Sequence, residues 1–210
     1  MLFRDRADAG MKLAEALKEY AGQDVLVLAI PRGGVVVARP VAEALAAELD
    51  LIVPRKVGAP GNPELAIAAV APDGTVIYNH GILKALKLRP EDLAPAVSRE
   101  LEEIKRRMQV YRGGREKPQV QGRTVIVIDD GLATGLTMEA ALISLAREQP
   151  RKLILAVPVA PSDTIERLRP LVHRVVCLAT PDPFYAVGQF YFSFTQVGDD
   201  EVKAILHKDH

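Results

Sequence analysis

The chain has 210 residues, 49% of them hydrophobic, with no net formal charge and a single cysteine. That is enough length for one α/β domain with a substantial core, while the zero charge balance argues against a nucleic-acid partner. No apolar run approaches a membrane span and the opening MLFRDRADAG has no signal-peptide apolar region, so the expectation is a soluble cytoplasmic protein with no membrane partner.

Cys177 lies in the apolar run VVCLA and reads as core. His80, His173, His207 and His210 show no metal-ligand spacing. The scarcity of Asn, Cys and Trp, with charge spread along the helices, hints at a heat-tolerant source.

Residues 3–20 read as an amphipathic helix capped by Asp5 or Asp8, with Leu13, Ala14 and Leu17 on its apolar face. Residues 24–30 (DVLVLAI) are a buried strand that runs into PRGG, residues 31–34, and then a helix to about Leu49. Strand, paired glycines and helix start form an anion-binding geometry, to which Arg32 adds charge. A tight turn with a solvent-facing arginine would give the same pattern. The next strand, residues 51–54, delivers Arg55 and Lys56 to its carboxyl end, where open α/β sheets bind ligands. Residues 58–64 (GAPGNPE) are expected as a loop. Two strands, 65–71 and 75–79, then form a hairpin around Pro72-Asp73-Gly74. Residues 81–112 read as helical and strongly charged, with Pro90 in a first turn. Leu93, Val97, Leu101, Ile104 and Met108 make one apolar stripe, suited to core or to a dimer contact.

The stretch that organises the chain is VIVIDDGLATGLT, residues 125–137. Four β-branched residues suit a strand buried on both faces. Asp129 and Asp130 stand at its end, and the loop Gly131 to Gly135 leads into an alanine-rich helix near Leu136 or Thr137. Backbone N–H groups at such a helix start can hold a phosphate without a charged side chain, helped here by the hydroxyls of Thr134 and Thr137. A carboxylate beside a phosphate repels it unless it faces sugar hydroxyls or magnesium, so the pattern asks for a phosphorylated sugar with a vicinal diol.

DDGLATGLT in its strand–loop–helix context resembles the phosphoribosyl-pyrophosphate (PRPP) motif of type I phosphoribosyltransferases. The opening FRDRADAG is similar to the start of a little-characterised subgroup of that family. The resemblance implies that Asp129 and Asp130 bind the ribose hydroxyls and that Ala133, Thr134, Gly135, Leu136 and Thr137 hold the 5′-phosphate. Arg32, Gly33 and Gly34 would contact pyrophosphate, in a loop that often contains a cis peptide, while Arg55 and Lys56 would stabilise the departing charge. Mg²⁺ is implied as a cofactor held mainly through substrate oxygens. The implied reaction displaces pyrophosphate by a nitrogen nucleophile at a centre with oxocarbenium character, under a lid that shields it from water.

Beyond the loop, residues 137–147 and 162–169 read as helices and 152–160 and 174–179 as strands. Alternating strands and helices imply a mostly parallel, doubly wound α/β sheet. The resemblance makes this a type I phosphoribosyltransferase fold over 1–210, with a helical insertion at about 58–118 and a small acceptor-side hood that includes about 180–200. Phe184, Tyr185, Phe190, Tyr191, Phe192 and Phe194 crowd the tail. PDPFYAVG resembles the stretch of hypoxanthine–guanine enzymes where an aromatic stacks on the purine, which makes Phe184 and Tyr185 acceptor candidates. Packing of the tail on the body explains the same composition.

The acceptor stays open between two clues. Those enzymes place a proton-accepting aspartate where this chain has Ala133, and DDGLATGLTM looks closer to the adenine type, DDLLATGGTM. The tail favours a purine, yet Phe192 stands where an acidic residue follows the stacking aromatic there. Expected partners are PRPP and a small nitrogenous acceptor, with a possible homodimer. The competing class is a non-catalytic PRPP- or nucleotide-binding regulator on the same fold. A P-loop kinase is disfavoured, since no GxxxxGK[ST] occurs.

Overall fold

The computed structural model describes residues 2–207. Its centre is a parallel five-stranded sheet of β1 (Val25–Ala29), β2 (Glu48–Leu51), β6 (Thr124–Ile128), β7 (Lys152–Val159) and β8 (Arg174–Ala179), in the order β2-β1-β6-β7-β8. Strand residues alternate between two cores, as the period of two requires. Val25, Val27, Ala29, Ile126 and Ile128 face α1 (Arg6–Ala16) and α2 (Gly33–Leu45). Leu26, Leu28, Val125 and Val127 face α5 (Leu136–Arg147) and α6 (Ser162–Leu168). Helices therefore cover both sides, as the alternating pattern predicts. Asp5 is the α1 N-cap, accepting from the Asp8 N–H at 2.8 Å.

The second core departs from the sequence reading. A three-stranded antiparallel sheet is made of β3 (Arg55–Ala59), β4 (Asn62–Val70) and β5 (Val76–Tyr78). Residues 58–64 are thus no loop. Their glycines and prolines sit at a hairpin tip, where Gly61 has φ 76°, and at the register shifts around Gly58. The hairpin at Pro72-Asp73-Gly74 forms as expected. Residues 81–112 are not one helix either. The chain forms α3 (His80–Ala85), turns left-handed at Lys87 (φ 56°), makes a 3₁₀ turn Pro90–Leu93 and only then enters α4 (Ala94–Arg112). The apolar stripe of α4 packs on β3 and β4 through Leu93, Val97, Leu101, Ile104 and Met108, so its occupant is this sheet.

Two smaller corrections follow from the backbone. The helix after PRGG ends at Leu45 rather than Leu49, because Ala46 turns left-handed (φ 51°) and frees residues 48–51 to become β2. The tail adds α7 (Asp199–Leu206), and residues 190–193 run beside residues 2–4, joined by backbone hydrogen bonds such as Phe192 N–H to the Phe3 carbonyl at 2.8 Å. Cys177 is half-buried on β8, where desolvation pushes its thiol up. Among the described residues no helix is long and apolar enough to cross a membrane.

Candidate functional site

The strand order reverses between β1 and β6, which pair in parallel with Ala29 opposite Ile128. The loops that follow these two strands therefore leave the sheet side by side, at the position where open α/β sheets form a crevice. One loop is Pro31–Gly34, with a cis Pro31–Arg32 peptide; the other is Asp129–Gly135. They touch. A Cβ on Gly33 would lie 2.0 Å from Asp130 Oδ2, and one on Gly34 would lie 2.9 Å from the Ile128 carbonyl. Glycine at both positions is what allows the loops to close on each other.

Asp129 and Asp130 are half-buried between them. Asp129 Oδ1 accepts from the Asp130 N–H at 2.8 Å, and Asp130 Oδ2 accepts from Arg6 Nε at 2.7 Å. The Tyr191 hydroxyl donates to the Asp130 carbonyl at 2.6 Å. Desolvation and the neighbouring Asp130 charge push the Asp129 carboxyl well above the usual range. Desolvation also raises Asp130, against the pull of Arg6. Burial thus works against ionisation of both carboxyls, more strongly at Asp129, while Arg6 favours the charged form of Asp130.

The loop then opens onto α5. Gly135 is the N-cap at φ 72° with no side-chain cap, so the first-turn N–H groups are presented outward with the positive end of the dipole. Helix α6 braces the loop from behind: Thr164 Oγ1 donates to the Ala133 carbonyl at 2.9 Å, and Arg167 donates to the Thr134 carbonyl and pairs with Glu139. With its carbonyls held on one side, the loop keeps its N–H groups for the other. Gly135 is also sterically required, since a Cβ would fall 2.7 Å from Thr164 Cγ2.

A cavity of about 910 Å³ lies over this loop. Ala133, Thr134 and Leu136 form its floor, Tyr78, Asn79 and His80 come from the second sheet, and Phe184 and Tyr185 close it from the tail. Phe184 rests on Phe190 with ring centroids 4.8 Å apart, while Tyr185 is 82% exposed. Asp129 and Asp130 do not line this cavity, so the acceptor candidates meet the phosphate loop rather than the acid pair.

The structure thus brings Arg32, Gly33 and Gly34 together with Asp129 and Asp130, and Phe184 and Tyr185 together with residues 133–136. Arg55 and Lys56 join neither group. They do not end a strand of the main sheet but begin β3, where Arg55 Nε meets Glu100 Oε2 at 2.6 Å and Lys56 Nζ meets Glu64 Oε2 at 3.2 Å. Arg32 lies 3.7 Å from Asp199 on α7. The sequence reading assigned no role to Arg6, Thr164, Arg167 or His80. Of these only Arg6 left a signal, as a charge in the apolar register of α1.

A family profile described as phosphoribosyl transferase domain matches residues 4–194. The crystal structure of TT1426 from Thermus thermophilus superposes with a TM-score of 0.82 at 44% identity, covering 99% of each chain. "Putative phosphoribosyl transferase Rv0571c" of Mycobacterium tuberculosis is 43% identical over 209 residues, which is 100% of this chain and 47% of that protein. The chain therefore spans about half the length of the curated relatives it matches. A hypothetical protein from Neisseria gonorrhoeae with bound ppGpp shares the fold alone, with a TM-score of 0.50 and 14% identity over 100% of this chain and 99% of that one.

Proposed function

The chain belongs to the phosphoribosyl transferase family, and from that premise we propose that it transfers the 5-phosphoribosyl group of PRPP to a nitrogen acceptor, a nucleobase with a purine-like one favoured, releasing pyrophosphate. The observation that carries this reading is the crevice between β1 and β6, where two carboxylates are packed against a second glycine loop and their own loop runs on into a braced helix start with no side-chain cap. Asp129 and Asp130 hold the ribose hydroxyls. Residues 133–137 hold the 5′-phosphate through backbone N–H groups and the hydroxyls of Thr134 and Thr137. Arg32, Gly33 and Gly34 face the pyrophosphate.

In this scheme the C1–O bond to pyrophosphate breaks, its electron pair leaves with pyrophosphate, and the acceptor nitrogen forms the new bond to C1 and loses a proton. The protein's part is orientation and charge placement rather than covalent catalysis. Phe184 and Tyr185 present a flat apolar surface to a planar acceptor. Magnesium fits as an ion carried by the substrate: it prefers phosphate and water oxygens, and among the described residues no group of three or more His, Cys, Asp or Glu converges to cage it. When bound it would neutralise pyrophosphate charge near Asp129 and Asp130.

One observation favours a second reading, a PRPP- or nucleotide-binding regulator on the same fold. Arg55, one of the two cations expected to stabilise a leaving group, is engaged by Glu100 in a partly buried pair. Calorimetry with PRPP–Mg²⁺ on the wild type and on an Asp129→Asn/Asp130→Asn double variant, followed by pyrophosphate release with a panel of nucleobases, separates the cases. The double variant is expected to lose most affinity, as two charge-assisted hydrogen bonds of ~1.5–3 kcal/mol each disappear. Binding with no pyrophosphate release on any base would favour the regulator. No binding to the wild type would remove the PRPP reading of the crevice.

A further inference from the structure

Arg6 is a charged residue in an apolar register. With Gly10, Leu13 and Leu17 it follows the inward stripe of α1 at steps of three and four residues, and its side chain is only 10% exposed. A guanidinium that deep must be matched by acceptors and by charge. Nε donates to Asp130 Oδ2 at 2.7 Å, and Nη1 donates to the Thr195 carbonyl at 2.6 Å. The flat face lies 3.8 Å from the centroid of the Phe194 ring. Gly33 closes a further side, where a Cβ would stand 2.7 Å from Nε. The planar fork of arginine is fixed in every direction, a fit that a lysine does not reproduce.

What Arg6 fixes is the acid pair. Two adjacent, desolvated carboxylates do not both ionise readily unless a cation is supplied. Among the described residues Arg6 is the cation in contact with them, since Arg32 on the facing loop is 3.7 Å from Asp199. Each carboxyl has one oxygen committed inside the protein, Oδ1 of Asp129 to the Asp130 N–H and Oδ2 of Asp130 to Arg6. The remaining oxygens are Asp129 Oδ2 and Asp130 Oδ1, in carboxyls close enough to hydrogen-bond each other when one is protonated, and a vicinal diol needs two such oxygens.

Taking the PRPP reading of the crevice as given, we propose that Arg6 is a positioning residue of this site, keeping Asp130 charged and turning its second oxygen toward a ribose hydroxyl. Arg6 does not touch substrate; it acts through Asp130. The groups that bear on the pair's titration are Asp129, Asp130, Arg6 and the Tyr191 hydroxyl, with Arg32 and Asp199 across the facing loop. Without Arg6 the two carboxyls retain a proton to higher pH, and PRPP must displace it to bind.

The test is PRPP–Mg²⁺ calorimetry at pH 6 and pH 8.5 on wild type, Arg6→Met and Arg6→Lys, with thermal melting of each. Arg6→Met is expected to bind ~10-fold to ~100-fold more weakly at pH 6, with a smaller loss at pH 8.5. Arg6→Lys, which restores charge but not the fork, should recover the wild-type pH profile but only part of the affinity, remaining ~3-fold to ~10-fold weaker than wild type. A loss equal at both pH values with no recovery by lysine marks a purely structural role and overturns the proposal. So does unchanged affinity in Arg6→Met. If Arg6→Met does not fold, Arg6→Lys decides: affinity weakened ~3-fold to ~10-fold at unchanged melting temperature supports positioning, and wild-type affinity refutes it. Absence of PRPP binding by the wild type is a different result, because it removes the reading of the crevice itself.

Discussion

Gly33→Ala is the sharpest probe of the crevice, because a single methyl group would have to occupy space already taken. The Cβ would lie 2.0 Å from Asp130 Oδ2, 2.7 Å from Arg6 Nε and 2.8 Å from Asp130 Cγ. None of these atoms is the free end of a mobile chain. Arg6 and Asp130 are paired, and their side chains are 10% and 15% exposed. Either the loop after β1 lifts away from the loop after β6, or the ion pair opens. Forcing a group into a packed site costs about 1–3 kcal/mol, and in a chain of this length each kcal/mol lowers the melting temperature by roughly 2–4 °C. A fall of about 2–12 °C is therefore expected by calorimetric or fluorescence melting, together with at least ~10-fold weaker PRPP binding. Gly81→Ala is the control. Its Cβ would meet only Asn79 Oδ1 at 3.5 Å, and alanine inside α3 should be neutral or stabilising by up to ~1 kcal/mol. A Gly33→Ala protein with unchanged melting and unchanged PRPP affinity would mean that the two loops do not close on each other as described.

Three further expectations concern single contacts. Asp129 has its folded-state pKa raised above the ordinary 3.8, so the native state holds the proton more tightly than the unfolded chain, and stability falls as pH rises through that window. Asp129→Asn should remove this penalty, giving a melting temperature that moves from near wild type at pH 4 to clearly above it at pH 8 while PRPP binding is lost; a difference independent of pH would contradict the assignment. Thr164→Val keeps the shape but deletes the donor to the Ala133 carbonyl, with an expected cost of ~0.5–1.5 kcal/mol and a several-fold rise in the PRPP dissociation constant. An unchanged constant would show that the brace does not orient the loop. Arg112→Met strands the Asp50 carboxylate, which is 4% exposed and bound by Arg112 at 2.9 Å. About 3–5 kcal/mol should be lost at pH 8, and less at pH 5, where desolvation, which raises the Asp50 pKa, lets it protonate; equal losses at the two pH values would count against a charged Asp50.

The central strands of the parallel sheet were legible in the sequence because each is a short apolar run with both faces buried, whereas the edge strand β2, ELDL, was read in part as the end of a helix. VIVI and LILAVPV leave little alternative in a chain that alternates them with helices. The strand–loop–helix over residues 124–147 was legible for a local reason as well: acid pair, glycine turn and helix start are contiguous, so chain order is also spatial order. Residues 55–64 failed for the opposite reason. Glycine and proline usually punctuate, and here they mark bulges and the tip inside one long hairpin, a distinction that depends on which strand lies opposite. Arg55 and Lys56 went with that error, because a strand end in the main sheet and the first residue of a second sheet look alike in sequence. The contacts of Arg6 are separated from it by 124 and 189 positions, beyond any local pattern. Only its place on the apolar stripe of α1 betrays it.

The cations considered for the site share one property. Arg6 is paired with Asp130, Arg32 lies near Asp199, Arg167 is paired with Glu139, and Arg55 and Lys56 are paired with Glu100 and Glu64. An anionic group that engaged one of these side chains would have to exchange with its carboxylate rather than meet a vacant charge. The cost of that exchange is graded by exposure. The Lys56–Glu64 pair, at 50% and 87% exposed, is worth little in water and gives way easily. The Arg6–Asp130 pair is mostly buried and does not. The deep pair is thus suited to hold geometry and the shallow one to be traded for ligand charge.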